Sequence, residues 1–344
     1  MKILFVLRKS QKAPSYSHGS FGLSNSARFV VNRLRTLGHD VSAVQVVDAN
    51  AVDKEVTQFK PDVVVLEALW VTPTKLAELL SRHPSRKWIV RIHSKAAFLA
   101  MEGIAMEWIT GYNHVNDIYG NVVISCNNEE FNSDINKAIG LNSVYLPNIY
   151  HPEVPPVRRH RHDDGIRPVH IGCFGAIRPL KNQFQQAIAA ILFAQTIKRT
   201  IHFHINGTRK EQLGENVSRN IRVLLNSTPH KLIEHDWYSH NEFLTNLVPQ
   251  MDLGMQVSFT ESFNIVTADF VYAGVPIVVS KDVDWMPHFC RVDPNETESI
   301  VHKLEIMWKS RTPYHNVLAK RALDEYNRVS TEIWEKELEN LWQK

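Results

Sequence analysis

The sequence predicts an α/β protein built from two parallel-sheet domains. Short apolar runs alternate with helical patterns twice along the chain, once before residue 150 and again after residue 168. Between the two alternations, residues 151–167 hold three prolines, a cluster of His, Arg and Asp, and no apolar period, which marks a linker. The length of 344 residues suits about two domains of roughly 150 residues each.

The elements follow in order. Strands are expected at residues 3–7, 41–47, 62–66, 88–92, 121–125 and 143–146, with helices at 22–37, 74–81 and 129–139 between them. The second alternation starts at Val169, continues with a helix near 182–195, and adds strands near 201–205, 231–235, 253–257 and 277–280. Residues 314–343 are helical and amphipathic. The expected partition is 1–150, a linker at 151–167, 168–313, and a terminal helical segment at 314–344.

Composition excludes several classes. Hydrophobic residues make up 44% of the chain, enough for two cores. A formal net charge of +3 does not call for a nucleic-acid partner. The opening run Met1–Leu7 is short and is followed by Arg8-Lys9-Ser10, so it reads as a strand and not a signal peptide. No uninterrupted apolar run approaches the ~20 residues of a membrane span. Cys126, Cys173 and Cys290 are too widely spaced for a disulfide framework or a zinc motif, and a cytoplasmic location is expected. His160 and His162 beside Asp163-Asp164 read as a solvated linker, so no metal centre is expected.

Parallel sheets hold ligands beyond the C-terminal ends of their strands. That rule selects the loops at residues 8–21, 67–72, 93–98 and 127–130 from the first domain, and 175–182, 206–211, 235–240 and 258–264 from the second; two runs among these carry the strongest signals. In the first, Val169-His-Ile-Gly-Cys-Phe-Gly175 leads into a turn carrying Arg178 and Lys181, then a helix. Gly172 and Gly175 mark the turn, and two cations beside helix N–H groups suit a diphosphate. In the second, Glu261 precedes a helix that starts at Ser262-Phe263-Asn264-Ile265 and carries Asp269 in its middle. Those four residues offer helix-start N–H groups to a donor sugar or phosphate. Asp269 lies among apolar neighbours, where an acid needs a partner. At ~1.5 Å rise per residue, the two carboxylates are expected roughly 10 Å apart, suited to two ends of an extended polar ligand. Gly274 then ends the helix, and an apolar strand run follows. A diphosphate and carboxylate-bound hydroxyls together describe a nucleotide sugar.

Other residues carry weaker signals. Gly19-Ser-Phe-Gly22 opens a helix after the first strand and resembles a phosphate-approach loop, without the spacing of a dinucleotide fingerprint. The long loop from Arg8 to Phe21 could close over a donor or admit an acceptor. Trp237-Tyr238 suits either a nucleotide base or the core. Arg8, Lys9, Lys12, Arg91 and Lys95 could form a cationic side for an anionic acceptor, such as a phospholipid, a phosphorylated glycan or DNA; scattered surface cations are the competing reading.

These runs resemble the retaining GT-B glycosyltransferases of family 4. That family carries a glycine turn with Arg and Lys, then a Glu-x7-Glu element and a Gly-x-Pro-Val-Val strand. Here Glu261 holds the first acidic position and Asp269, one methylene shorter, the second; Gly274-Val-Pro-Ile-Val-Val follows. Met1-Lys-Ile-Leu-Phe-Val-Leu, Leu37-Gly-His-Asp-Val, Val90-Arg-Ile-His93 and Leu146-Pro-Asn148 add a looser match. The resemblance implies two Rossmann-like domains with parallel sheets facing across a central cleft, and a C-terminal helix that crosses back to the first domain. It implies transfer of a hexosyl or pentosyl group from a nucleotide-diphosphate sugar to an acceptor hydroxyl, with retention and without a cofactor or metal. By the same resemblance, Arg178 and Lys181 stabilise the leaving diphosphate, Glu261 meets sugar hydroxyls, Asp269 meets the ribose, and His93 positions the sugar. Three alternatives stay open: transfer to a hydroxylated base in DNA, another GT-B activity such as an epimerase, and a non-enzymatic nucleotide-sugar binding module.

Overall fold

The computed structural model describes residues 1–9, 21–157, 163–309 and 313–343. The chain forms two compact units, one of Met1–His151 with Asn327–Lys344 and one of Pro152–Tyr326.

The first unit holds strands β1 (Lys2–Arg8), β2 (Asp40–Val46), β3 (Val63–Glu67), β4 (Lys87–Ile92), β5 (Val122–Cys126) and β6 (Val144–Tyr145). Its helices are α1 (Phe21–Thr36), α2 (Ala51–Phe59), α3 (Pro73–Arg82), the short α4 (Ala96–Leu99), α5 (Ala105–Tyr119) and α6 (Glu129–Ile139). All strands pair in parallel, in the order β2-β1-β3-β4-β5-β6. A continuous apolar run suits such strands because both faces are buried. In β1, Leu4 and Val6 enter one core with Leu76, Leu79, Ile109 and Tyr112. Ile3, Phe5 and Leu7 point the other way, into a core with Val30 and Leu34.

The second unit continues with β7 (Val169–Gly172), α7 (Gln183–Thr196), β8 (Ile201–Asn206), α8 (Gly214–Asn226) and β9 (Lys231–His235). After these come a helical segment beginning with α9 (His240–Glu242), then β10 (Leu253–Gln256), α10 (Ile265–Ala273), β11 (Ile277–Ser280), β12 (Arg291–Val292) and α11 (Thr297–Lys309). The strand order is β12-β11-β10-β7-β8-β9, again all parallel. The chain order reverses between β7 and β10, which makes that pair the topological switch point where a ligand is expected. Gly172 and Gly254 are register partners there. A Cβ on either would meet the Phe270 ring of α10, at 2.8 and 2.5 Å. The paired glycines therefore let α10 settle closely on the sheet and fix where its first turn begins.

The last helix, α12 (Pro313–Gln343), contributes to both units. In the second unit, Tyr326 stacks on Phe263 with centroids 5.1 Å apart, and Asn316 donates to the Gly274 carbonyl at 2.8 Å. In the first, Trp334, Leu338 and Leu341 join the core of β1, and the Trp334 indole donates to the Pro147 carbonyl at 2.8 Å.

Sequence reading gave no bounds for α2, α5, α8 or α11. In α2 only Val52 and Val56 are buried, too few to print a helical stripe. In α5 the exposed Met106, Ile118 and Tyr119 blur the period. The strand expected at 143–146 contracts to two residues, and Pro276 lies before β11 and not inside it, so no ladder bond is lost to it. No helix among the described residues is long and apolar enough to cross a membrane.

Candidate functional site

The loops leaving β7 and β10 meet at the switch point. Gly175 has φ +113°, a conformation that glycine tolerates best, and its N–H donates to the Asn206 side chain at 2.8 Å. A 3-10 turn over Pro179–Lys181 follows, and Asn182, at φ 55°, starts α7. The two loops are tied directly, by the Phe259 N–H to the Leu180 carbonyl at 2.9 Å.

A set of buried amides holds this arrangement. The Asn182 side chain donates to the carbonyls of Val257 and Pro294, each at 3.1 Å. Gln186 donates to the Lys181 carbonyl at 2.8 Å and accepts from the Val257 N–H at 2.9 Å. Gln256 donates to the Phe174 carbonyl at 2.8 Å and accepts from Asn264 at 2.9 Å. Asn264, at φ 65°, caps α10 by accepting from the Thr267 N–H at 2.8 Å. None of these amides was singled out for this role from the sequence, because their partners are distant in the chain.

On this scaffold Lys181 Nζ lies in a short ion pair with Glu261 Oε1. Burial alone pushes the Glu261 carboxyl up; Lys181, with Arg178 behind it, more than reverses this and holds the group below the usual carboxylate range. Arg178 reaches Glu211 at 2.8 Å, and Arg209 donates to the other oxygen of Glu211, at 2.7 Å from its Nε. Burial likewise raises Glu211, and Arg209 and Arg178 together bring it below its ordinary value. The cluster thus sets three cations against two carboxylates, leaving one net positive charge. Glu211 was missed, although the loop after β8 is where the strand-end rule directs attention.

Asp269 is 1% exposed, and its carboxylate takes a 2.7 Å bond from His240 Nε2. His240 begins α9, behind a capping box formed by Ser239 and Glu242. The partner that a mid-helix acid requires is therefore this histidine, which the sequence did not single out. Phe263 is buried, and its ring packs with those of Trp285 and Tyr326 in a three-ring cluster, so only its backbone is available for the helix-start role. Arg209 stacks over Trp237 at 4.7 Å from the ring centroid, while Tyr238 is 38% exposed.

In the first unit, β3 and β4 carry a buried polar network. Glu67 and Arg91, register partners on adjacent strands, are both 0% exposed and pair at 3.2 Å. Arg91 also donates to the carbonyls of Leu146 and Pro147, at 3.1 and 2.9 Å, and to Asn148 at 2.8 Å. Its expected place on a cationic acceptor side is thereby corrected. A guanidinium with every direction filled inside the core offers nothing to a ligand. His93 Nε2 makes a short contact with Glu67, and Asn127 Nδ2 donates to its Nδ1 at 3.3 Å. Burial lowers the His93 pKa despite the neighbouring carboxylate, so the ring is neutral and both nitrogens are engaged within the unit. Lys95 pairs with Glu130 at 3.0 Å. Gly22 is exposed in the first turn of α1, whereas Gly19, Lys12, His160 and His162 lie outside the described residues. Cys126, Cys173 and Cys290 are buried and free, with burial pushing each thiol up to about 12, so none is a nucleophile.

Residues 137–284 match the profile of a family described as family 4 glycosyltransferases in conflict systems. That span contains Arg178, Lys181, Glu261 and Asp269. Among solved structures, the sucrose-phosphate synthase of Thermosynechococcus elongatus is 10% identical with a TM-score of 0.71, over 99% of each chain. A UDP-forming trehalose-phosphate synthase from Burkholderia xenovorans is 12% identical at 0.65, over 99% of each. Anabaena HepE, solved with UDP and glucose, is 14% identical at 0.65, over 100% of each. No curated protein sequence matches the chain. The two six-stranded parallel sheets and these likenesses identify the fold as GT-B.

Proposed function

We propose that this chain, a GT-B protein resembling the family 4 glycosyltransferases, moves a sugar from a nucleoside-diphosphate donor to an acceptor hydroxyl with retention at the anomeric carbon. The observation that carries the reading is the convergence of Arg178, Lys181 and Glu261 at the switch point of the second unit. A departing diphosphate gains negative charge as its bond to the sugar breaks. Preorganised cations aimed at that charge are usually the largest catalytic contribution. Arriving phosphates replace Glu211 and Glu261 as partners of Arg178 and Lys181, which frees Glu261 to accept from sugar hydroxyls. The acceptor oxygen bonds to the anomeric carbon on the face the diphosphate leaves, and the acceptor proton passes to a leaving phosphate oxygen. No carboxylate pair of the glycosidase type is required. His93, with both ring nitrogens engaged by Glu67 and Asn127, does not act as a base.

The acceptor is proposed to be anionic, with Arg8, Lys9 and Lys95 as its candidate contacts. A screen of nucleotide sugars that reads nucleoside diphosphate release tests the whole reading. It is run with sugar phosphates, anionic glycans, and DNA bearing hydroxylated bases. Acceptor-dependent release is the expected result, with NMR of the product giving a retained anomeric configuration. Turnover on DNA alone selects the modified-base alternative, and tight binding without turnover on any acceptor overturns the enzymatic reading.

The two acids separate the donor's halves. Glu261→Gln should cut sugar transfer at least tenfold while leaving nucleoside diphosphate affinity within about threefold, because one charge-assisted hydrogen bond to the sugar is weakened. Asp269→Asn acts through His240 and should weaken nucleotide binding itself about tenfold. Calorimetry with the free nucleotide distinguishes them; equal affinity and normal transfer in both variants would remove the assignment.

A further inference from the structure

We propose that the second unit carries a transition-metal site formed by His170, His202 and His204, for a divalent ion of the zinc class. The register of the sheet assembles it. His170 on β7 pairs with His202 on β8, and His204 lies two residues further on, so all three side chains share one sheet face. One ring nitrogen from each lies within 4.8 Å of those from the other two. His170 Nδ1 and His204 Nε2 are 2.9 Å apart, and the rings of His170 and His202 have centroids 4.8 Å apart. Neutral imidazoles suit zinc, copper, nickel and cobalt, whereas magnesium and calcium demand oxygen. Three histidines with one open position is an established zinc donor set.

The surroundings fit as well. His204 is buried, and its Nδ1 lies 2.8 Å from Nε2 of His235, whose ring is nearly parallel to it, at 13°. A donor bond from Nδ1 to His235 fixes the tautomer that leaves the Nε2 lone pair of His204 for a metal, the outer contact that ligating histidines commonly make. Metal–nitrogen bonds of 2.0–2.1 Å in a tetrahedron set nitrogens about 3.3 Å apart. The His170–His204 pair must open by roughly 0.4 Å, its shared proton moving to the other nitrogen of His170, and His202 must close in. Side-chain rotation supplies both adjustments. The three residues lie within strands, whereas Arg178, Lys181 and Glu261 lie in loops beyond the strand ends, so the site is separate from the donor machinery. Its effect is to tie β7 to β8.

The test uses the full chain after chelator treatment. Co(II) titration followed by visible absorption should saturate at one equivalent with a tetrahedral-type spectrum, and Zn(II) should displace it. Zn(II) in hundredfold excess over its Kd should raise the Tm by about 5–10 °C. His202→Asn and His170→Gln should each weaken binding about a hundredfold while leaving nucleoside diphosphate binding unchanged. The linker variant His160→Asn/His162→Asn should bind as the parent does. Absence of stoichiometric binding, or unchanged binding in His202→Asn, or loss of binding in the linker variant, overturns the proposal; in the first two cases the imidazoles are only a hydrogen-bonded row.

Discussion

Lys181→Ala is expected to lower turnover about a hundredfold, with Arg178→Ala close behind, since losing one preorganised charge contact to a transition state costs ~3 kcal/mol. The two variants differ in what they leave behind. Without Lys181, the nearly buried Glu261 loses its counterion, its pKa rises, and the loop before α10 loses a tie. Without Arg178, Glu211 keeps Arg209. Lys181→Ala should therefore also lower the Tm, and Arg178→Ala should barely move it. Single-turnover rates at saturating donor separate chemistry from folding. Near-parental rates in both variants would remove the leaving-group role.

Arg91→Met should destabilise the first unit by about 3–5 kcal/mol, the loss expected when one partner of a buried ion pair is removed. Glu67 is then left in the core with only His93 beside it. The double variant Glu67→Gln/Arg91→Met should recover part of the loss, because it removes the uncompensated charge. In the parent chain, burial raises the Glu67 pKa and Arg91 with His93 brings it below its ordinary 4.5. A carboxyl depressed in the folded state stabilises above that ordinary value, and the contribution fades as pH falls from about 4.5 through the lower folded value. The gap between parent and Arg91→Met should thus narrow on acidification over that range. Urea unfolding at several pH values measures it, and a gap below 1 kcal/mol at neutral pH would mean the network is not structural.

What could be read in the sequence depended on how far apart the partners lie. Strands such as β1 and β3 were legible because burial on both faces leaves an unbroken apolar run. Arg178, Lys181 and Glu261 were legible because glycine turns and strand ends flag ligand loops, and the fold does gather them at one switch point. The Glu67–Arg91 pair was not, since only the register of β3 against β4 sets the two side by side. Read alone, Arg91 looked like a surface cation. His240 and Asp269 are likewise joined only by tertiary packing. The spacing of His202 and His204 shows that they share a strand face, but nothing in the sequence brings His170 beside them.

The dual membership of α12 bears on the order in which the chain can be completed at the ribosome. Every residue of the second unit has been synthesised once Tyr326 is added. The first unit, although it begins at Met1, still lacks Trp334, Leu338 and Leu341 at that moment. Its β1 face, from Ile3 to Leu7, stays partly uncovered until the final helical turns emerge. A strand made before the second unit is therefore sealed only after it, and the nascent chain carries an open apolar surface through the whole synthesis of the second unit, the condition under which chaperone engagement and aggregation compete.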